Sequence, residues 1–83
     1  VALIFRGKTQ CSICGEILAD GDDVVGTSHF IADPDDPLWR FSDSGMHRPC
    51  FVDWPLRDAF IARYNNAVGR HQRMTDDGSI LGA

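Results

Sequence analysis

Every cysteine of the chain falls within one of two short motifs. Cys11-Ser12-Ile13-Cys14-Gly15 is a C-x-x-C-G turn, and His47-Arg48-Pro49-Cys50 is an H-x-x-C pair. Together they offer three sulfurs and one imidazole, the donor set of a closed tetrahedral zinc site. Two residues between ligands let one turn present both side chains to a single ion. Gly15 relieves the backbone after the first pair and lets amides point at the sulfurs. Cys50 falls near an expected helix start, where free N–H groups and the helix dipole favour a thiolate. We therefore expect Cys11, Cys14, His47 and Cys50 to hold one structural Zn2+. The spacing does not separate zinc from iron in the same cage.

Competing chemistry fits less well. A thioredoxin-like redox pair needs a helix straight after its cysteines, whereas Glu16-Ile17-Leu18 and an acidic turn follow here. Three unconnected core thiols would not need the matched spacing. Four protein ligands leave no open position for water, so the expected site is not catalytic. Of the other histidines, His29 sits beside Phe30 and is expected to be packed or hydrogen-bonded, and His71 to be solvated between basic neighbours. An HNH-like nuclease would need further metal-binding and general-base histidines, and His29 with Asn65 or Asn66 is a poor set. Calcium at Asp33, Asp35 and Asp36 is disfavoured by Pro34 and Pro37 and by the missing EF-hand glycine and glutamate.

These motifs need a frame. The chain has 83 residues, 43% apolar and 24% charged, an ordinary globular mix expected to make one domain. A domain of this size buries only about 60% of its unfolded surface, so a metal staple suits it. The first five residues read as a short strand, whose open edge could pair two copies. Arg6, Gly7 and Lys8 end that apolar run, so no signal peptide is expected. A tight turn follows at 11–15 and a polar turn at 19–23. Val24 and Val25 suit a strand that residues 29–31 resume. Two prolines make 33–37 a loop. Residues 38–41 read as a strand with Leu38 and Arg40 on one face, Trp39 and Phe41 on the other. Residues 42–45 then turn the chain into a helical region. Leu56, Phe60, Tyr64 and Val68 recur every fourth residue, beside Ala59, Ile61 and Ala67, and mark a helix that Gly69 stops. Pro55 implies a kink, or a short turn near 49–53 followed by a helix capped by Asp53. Phe51 and Trp54 are expected to pack at the helix base. The zinc-binding domain is thus placed at 1–69. Residues 70–83 lack periodicity and read as a flexible tail, though Ile80 and Leu81 could dock locally.

The order C-x-x-C-G, β lobe, then H-x-x-C-Phe51 opening a helix resembles a treble-clef zinc finger. The set Cys11, Cys14, His47, Cys50 with Phe51 and Trp54 is similar to the first half of a LIM domain with a longer insert. In spacing it is similar to the zinc fingers of poly(ADP-ribose) polymerases, which also use three cysteines and one histidine. The resemblance covers roughly residues 9–68. The stretch from Ser42 to Trp54 also resembles small bacterial proteins without known function. The resemblance implies an α+β, zinc-stabilised, treble-clef-like fold: zinc knuckle, short β lobe, C-terminal helix.

Charge bears on partners. The net charge is −4, and residues 16–43 hold eight acids against Arg40 alone, a net −7. This disfavours a general nucleic-acid binder and an anionic membrane surface. No apolar run approaches the roughly 20 residues of a membrane span. The expected function is a non-catalytic zinc module for protein–protein interaction, in the reducing cytosol, with a second copy as one conceivable partner. Trp39, Arg40, Asp35 and Asp36 are the candidate interaction surface. A nucleic-acid-binding finger is the alternative, since arginines and aromatics interleave around Arg40.

Overall fold

The computed structural model describes residues 4–70 and 72–82. The order is β1 (Val24–Gly26), a 3-10 turn (Trp39–Phe41), β2 (Gly45–His47), α1 (Arg48–Val52), α2 (Arg57–Val68), β3 (Gln72–Met74) and β4 (Ile80–Gly82). Two two-stranded antiparallel sheets, β1–β2 across a long insert and the β3–β4 hairpin, flank the helices in a small α+β arrangement. No helix among the described residues is long and apolar enough to cross a membrane.

The knuckle at 11–15 forms as its sequence demands. Ser12–Cys14 turn tightly, Gly15 takes φ +80°, and Gln10 bridges Ile17 across the turn. The Ser12 amide donates to the Gly45 carbonyl at 3.0 Å, which fastens the knuckle to β2. In β1–β2, Val25 pairs with Met46 and both are buried. Pairing, more than propensity, makes a strand of Gly45-Met46-His47. That segment was expected to be a turn leading into helix.

Residues 38–41 are not a strand. They form the 3-10 turn, started by the Asp36 carboxylate accepting from the Leu38 amide at 2.9 Å. Its threefold period buries Leu38 and Phe41 together and leaves Trp39 and Arg40 outside. The expected partition of faces is therefore replaced. Residues 29–31 do not resume a strand either. His29 is exposed rather than packed, and makes no side-chain hydrogen bond among the described residues.

The helical region splits at Pro55, as expected, but Asp53 caps the end of α1 and not the start of α2. Leu56 precedes α2 and is largely exposed, so the apolar stripe runs Phe60, Tyr64, Val68. Gly69 follows the last helical residue. Phe51 and Trp54 are buried at the helix base. Trp54 stacks against Phe41 (4.6 Å between centroids) and Phe60 (5.3 Å), while Phe30 lies edge-on to Phe60 and Tyr64. This aromatic cluster joins the 3-10 turn, α1 and α2 into one core.

The segment after Gly69 is not an unstructured tail. β3 and β4 pair in register Met74↔Ile80, and Met74 enters the core. Asn65 of α2 accepts from the Met74 amide at 2.8 Å and donates to its carbonyl at 3.3 Å. One side-chain amide thus stands in for a neighbouring strand on that edge. Gly78 turns the hairpin with φ +84°, and a side chain there would strike Val25 and Phe51. Ile80 packs on the core, whereas Leu81 stays exposed. Of the strand expected at 1–5, only Ile4 and Phe5 lie within the described residues, and neither is in a strand; His71 lies outside them.

Candidate metal centre

The donors come from two pieces of chain 32 residues apart, joined by the β1–β2 pairing. Cys11 and Cys14 leave opposite ends of the knuckle turn. His47 ends β2 with extended backbone, and Cys50 sits one turn on, in α1. A strand end and a helix start aim both side chains the same way. Cys11 Sγ, Cys14 Sγ, His47 and Cys50 Sγ present donor atoms that all lie within 4.8 Å of one another. His47 Nδ1 is 3.4 Å from Cys14 Sγ and 3.9 Å from Cys50 Sγ. A tetrahedral site with ordinary zinc bond lengths needs sulfur–nitrogen edges of about 3.6 Å and sulfur–sulfur edges of about 3.8 Å. The four residues singled out by spacing are thus brought together, and no disulfide links the cysteines.

Backbone amides serve the sulfurs. The His47 amide donates to Cys11 Sγ at 3.4 Å, and the Glu16 amide to Cys14 Sγ at 3.5 Å. Burial resists ionisation of Cys11, but the amides of Cys14, His47 and Ile13 outweigh it and pull the thiol down to about 6. Cys50 behaves oppositely to the sequence expectation. Burial, reinforced by the neighbouring Cys14 and Cys11 sulfurs, pushes it up to about 12. The five-residue α1 does not offset this crowding of like charge. Burial also opposes protonation of His47, yet the Cys14 and Cys11 sulfurs override it and raise the imidazole to about 9. The donor set thus concentrates negative charge that protons now balance. A divalent cation would balance it better and release those protons.

A carboxylate contact that spacing alone did not reveal orients the imidazole. His47 Nε2 lies 3.2 Å from Asp22 Oδ2. With Nδ1 turned to the sulfurs, Nε2–H donates to this carboxylate, which fixes tautomer and ring orientation. Asp22 is itself held: its carboxylate accepts from the Ala19 amide at 2.8 Å, its amide donates to the Ala19 carbonyl at 3.2 Å, and its carbonyl accepts from Arg6. The Ala19 amide is the main cause holding the Asp22 carboxyl below its ordinary value, although burial opposes it; His47 contributes next. Arg48, between the two donors of the second pair, bonds Asp23, Val24 and the β3–β4 turn at Asp77 and Ser79. The signal for both partners was the Asp22-Asp23 pair at the mouth of β1, read from sequence only as a turn. Asp22→Asn is expected to weaken metal affinity about 10- to 100-fold with the fold retained in excess metal. Competition against a chromogenic chelator measures this directly; unchanged affinity would mean that the Asp22 contact does not tune His47 as a donor.

The other candidate residues are separated from this centre by role. Trp39 is 39% exposed and Asp35 is exposed, so both face solvent. Arg40 lies over the Phe41 ring, 5.0 Å from its centroid, and reaches the Ser12 carbonyl at 3.5 Å. Asp36 starts the 3-10 turn and pairs with Arg63, which is the first cause holding its carboxyl below the ordinary range. Comparison with known protein families, with curated proteins and with solved structures finds no match for this chain.

Proposed function

We propose that the chain is a zinc-held interaction module, with one Zn2+ bound by Cys11, Cys14, His47 and Cys50 in a structural site. One observation carries this reading: three thiols and an imidazole nitrogen, from segments far apart in sequence, converge within 4.8 Å. The donor set is typical of structural zinc and uses all four tetrahedral corners, so no position is left for a reacting water. The succession of knuckle, β1–β2, then α1 and α2 supports a treble-clef-like arrangement. Unpaired thiols suit a reducing compartment, and we place the chain in the cytosol on that ground. The interaction role is supported by Trp39, an aromatic left 39% exposed on a 3-10 turn beside the acidic loop.

Elemental analysis with circular dichroism before and after chelation tests the frame. One zinc per chain, and loss of helix signal on its removal, is the expected result. No metal, or metal that leaves the spectrum unchanged when stripped, would return the cysteines to redox or plain core roles.

A further inference from the structure

The end of α2 and the start of β3 border a groove of about 560 Å³ that includes Asn66, Gly69, Arg70 and Arg73. A smaller depression of about 260 Å³ shares Gly69 and Arg73 with it and extends to Leu81. The hairpin register explains the pairing of charge with an apolar group. Arg73 sits directly opposite Leu81, so both side chains leave the same face of β3–β4. Met74 and Ile80 leave the other face, toward the core. Leu81 is 57% exposed.

The charge on this face is unspent. Arg6 bonds the Ala19 and Asp22 carbonyls, and Arg40 is held by Phe41 and Ser12. Arg48, Arg57 and Arg63 each pair with an aspartate. Arg70 and Arg73, both exposed, make no salt bridge or side-chain hydrogen bond among the described residues. Two guanidiniums on one groove with no partner among the described residues, beside an exposed leucine, stand out in a chain of net charge −4.

We propose that this groove docks an extended acidic segment of a protein partner. Its carboxylates pair with Arg70 and Arg73, and an apolar side chain next to them covers Leu81. The inference rests on the reading of the chain as an interaction module and gives the partner its chemistry. Guanidinium matches carboxylate through paired N–H···O bonds. Single-stranded nucleic acid would require aromatic stacking surface beside the cations, and the groove offers an aliphatic leucine instead. Away from the two arginines, the acidic lobe repels a long polyphosphate.

The test uses the zinc-loaded chain and the fluorescein-labelled peptide (Glu-Leu)4, read by anisotropy at low and at moderate salt. The peptides (Glu-Ser)4 and (Lys-Leu)4 and an oligothymidylate serve as comparators. The expected result is binding of (Glu-Leu)4, weaker binding of (Glu-Ser)4, and none of (Lys-Leu)4. The double variant Arg70→Glu, Arg73→Glu loses about tenfold or more in affinity. Its zinc content and circular dichroism stay those of the parent. Failure of (Glu-Leu)4 to bind, or equal binding by the double variant, overturns the proposal. So does tighter binding of oligothymidylate that the double variant abolishes. Dimerisation of the chain alone that the double variant abolishes would assign the groove to a second copy and overturn it too. Zinc content measured on the same samples keeps the two readings apart: a folded, zinc-loaded chain that ignores the peptide sinks the groove alone.

Discussion

Cys50→Ser is expected to lose metal and fold together. A structural zinc contributes on the order of 10 kcal/mol in small domains, more than the whole net stability of many folds. Here the ion would tie the knuckle to the strand–helix junction, which only short elements otherwise hold: β1 and β2 have three residues each and α1 has five. Serine keeps the shape and removes the thiolate, so the loss is assigned to ligation rather than to packing. Cys11→Ser should be at least as damaging, because Cys11 is only 2% exposed and belongs to the core as well. The parent's affinity should also climb with pH. Binding displaces a proton from Cys50, raised to about 12, and one from His47, raised to about 9. The metal-free state therefore holds more protons than the loaded one, and acid favours it. Circular dichroism with metal analysis, repeated between pH 6 and 8.5, reads both effects. A well-folded, metal-free Cys50→Ser chain would contradict the structural role.

The clustering of the four donors was legible because it depends on residue type and local spacing, which survive any detail of the intervening fold. Cys11 with Cys14, and His47 with Cys50, are each separated by about one turn of chain, so either pair can point at one ion whether the segment is knuckle or helix. What positions the second pair was not legible. β2 is three residues containing a glycine and a histidine, and it exists through its pairing with Val24 and Val25. Asp22 and Arg48 were equally silent. Their roles follow from which carbonyls and carboxylates the β1–β2 register brings beside them. The α2 stripe was read correctly at Phe60, Tyr64 and Val68, where the 3.6-residue period governs burial, whereas Ala59 and Ala67 are exposed. It failed at Leu56, which sits before the helix and does not share its phase. Residues 38–41 misled for a related reason. Aromatics at 39 and 41 fit a two-residue period, but Asp36 capping the Leu38 amide and Asp33 accepting from the Asp36 amide commit the backbone to turns. The segment at 72–82 has strands too short to show a period. Its order comes from Asn65 and Arg48, which bond it from outside, and from Gly78, whose bare backbone lies against Val25 and Phe51.

Phe60→Ala is expected to weaken zinc binding although the ring is not a ligand. Phe60 is fully buried and contacts Phe30, Phe51 and Trp54, and the same core contains Cys11 and Met46. Truncating a buried phenylalanine costs about 3–5 kcal/mol. If the chain folds only when it binds the ion, that cost must appear in the apparent zinc affinity, since binding and folding are then one equilibrium. At 1.4 kcal/mol per tenfold, the dissociation constant should rise by roughly two to three and a half orders of magnitude. Phe60→Leu keeps most of the apolar volume and should cost less than about 1.5 kcal/mol, or about tenfold. Titration against a competing chelator, with circular dichroism at each point, measures affinity and folding on one sample. A Phe60→Ala chain that binds zinc as tightly as the parent would mean that the knuckle and the strand–helix junction close around the ion without help from α2. The graded loss instead would show ligand cage and aromatic core acting as one cooperative unit, the relation that Cys11, at once donor and core residue, already implies.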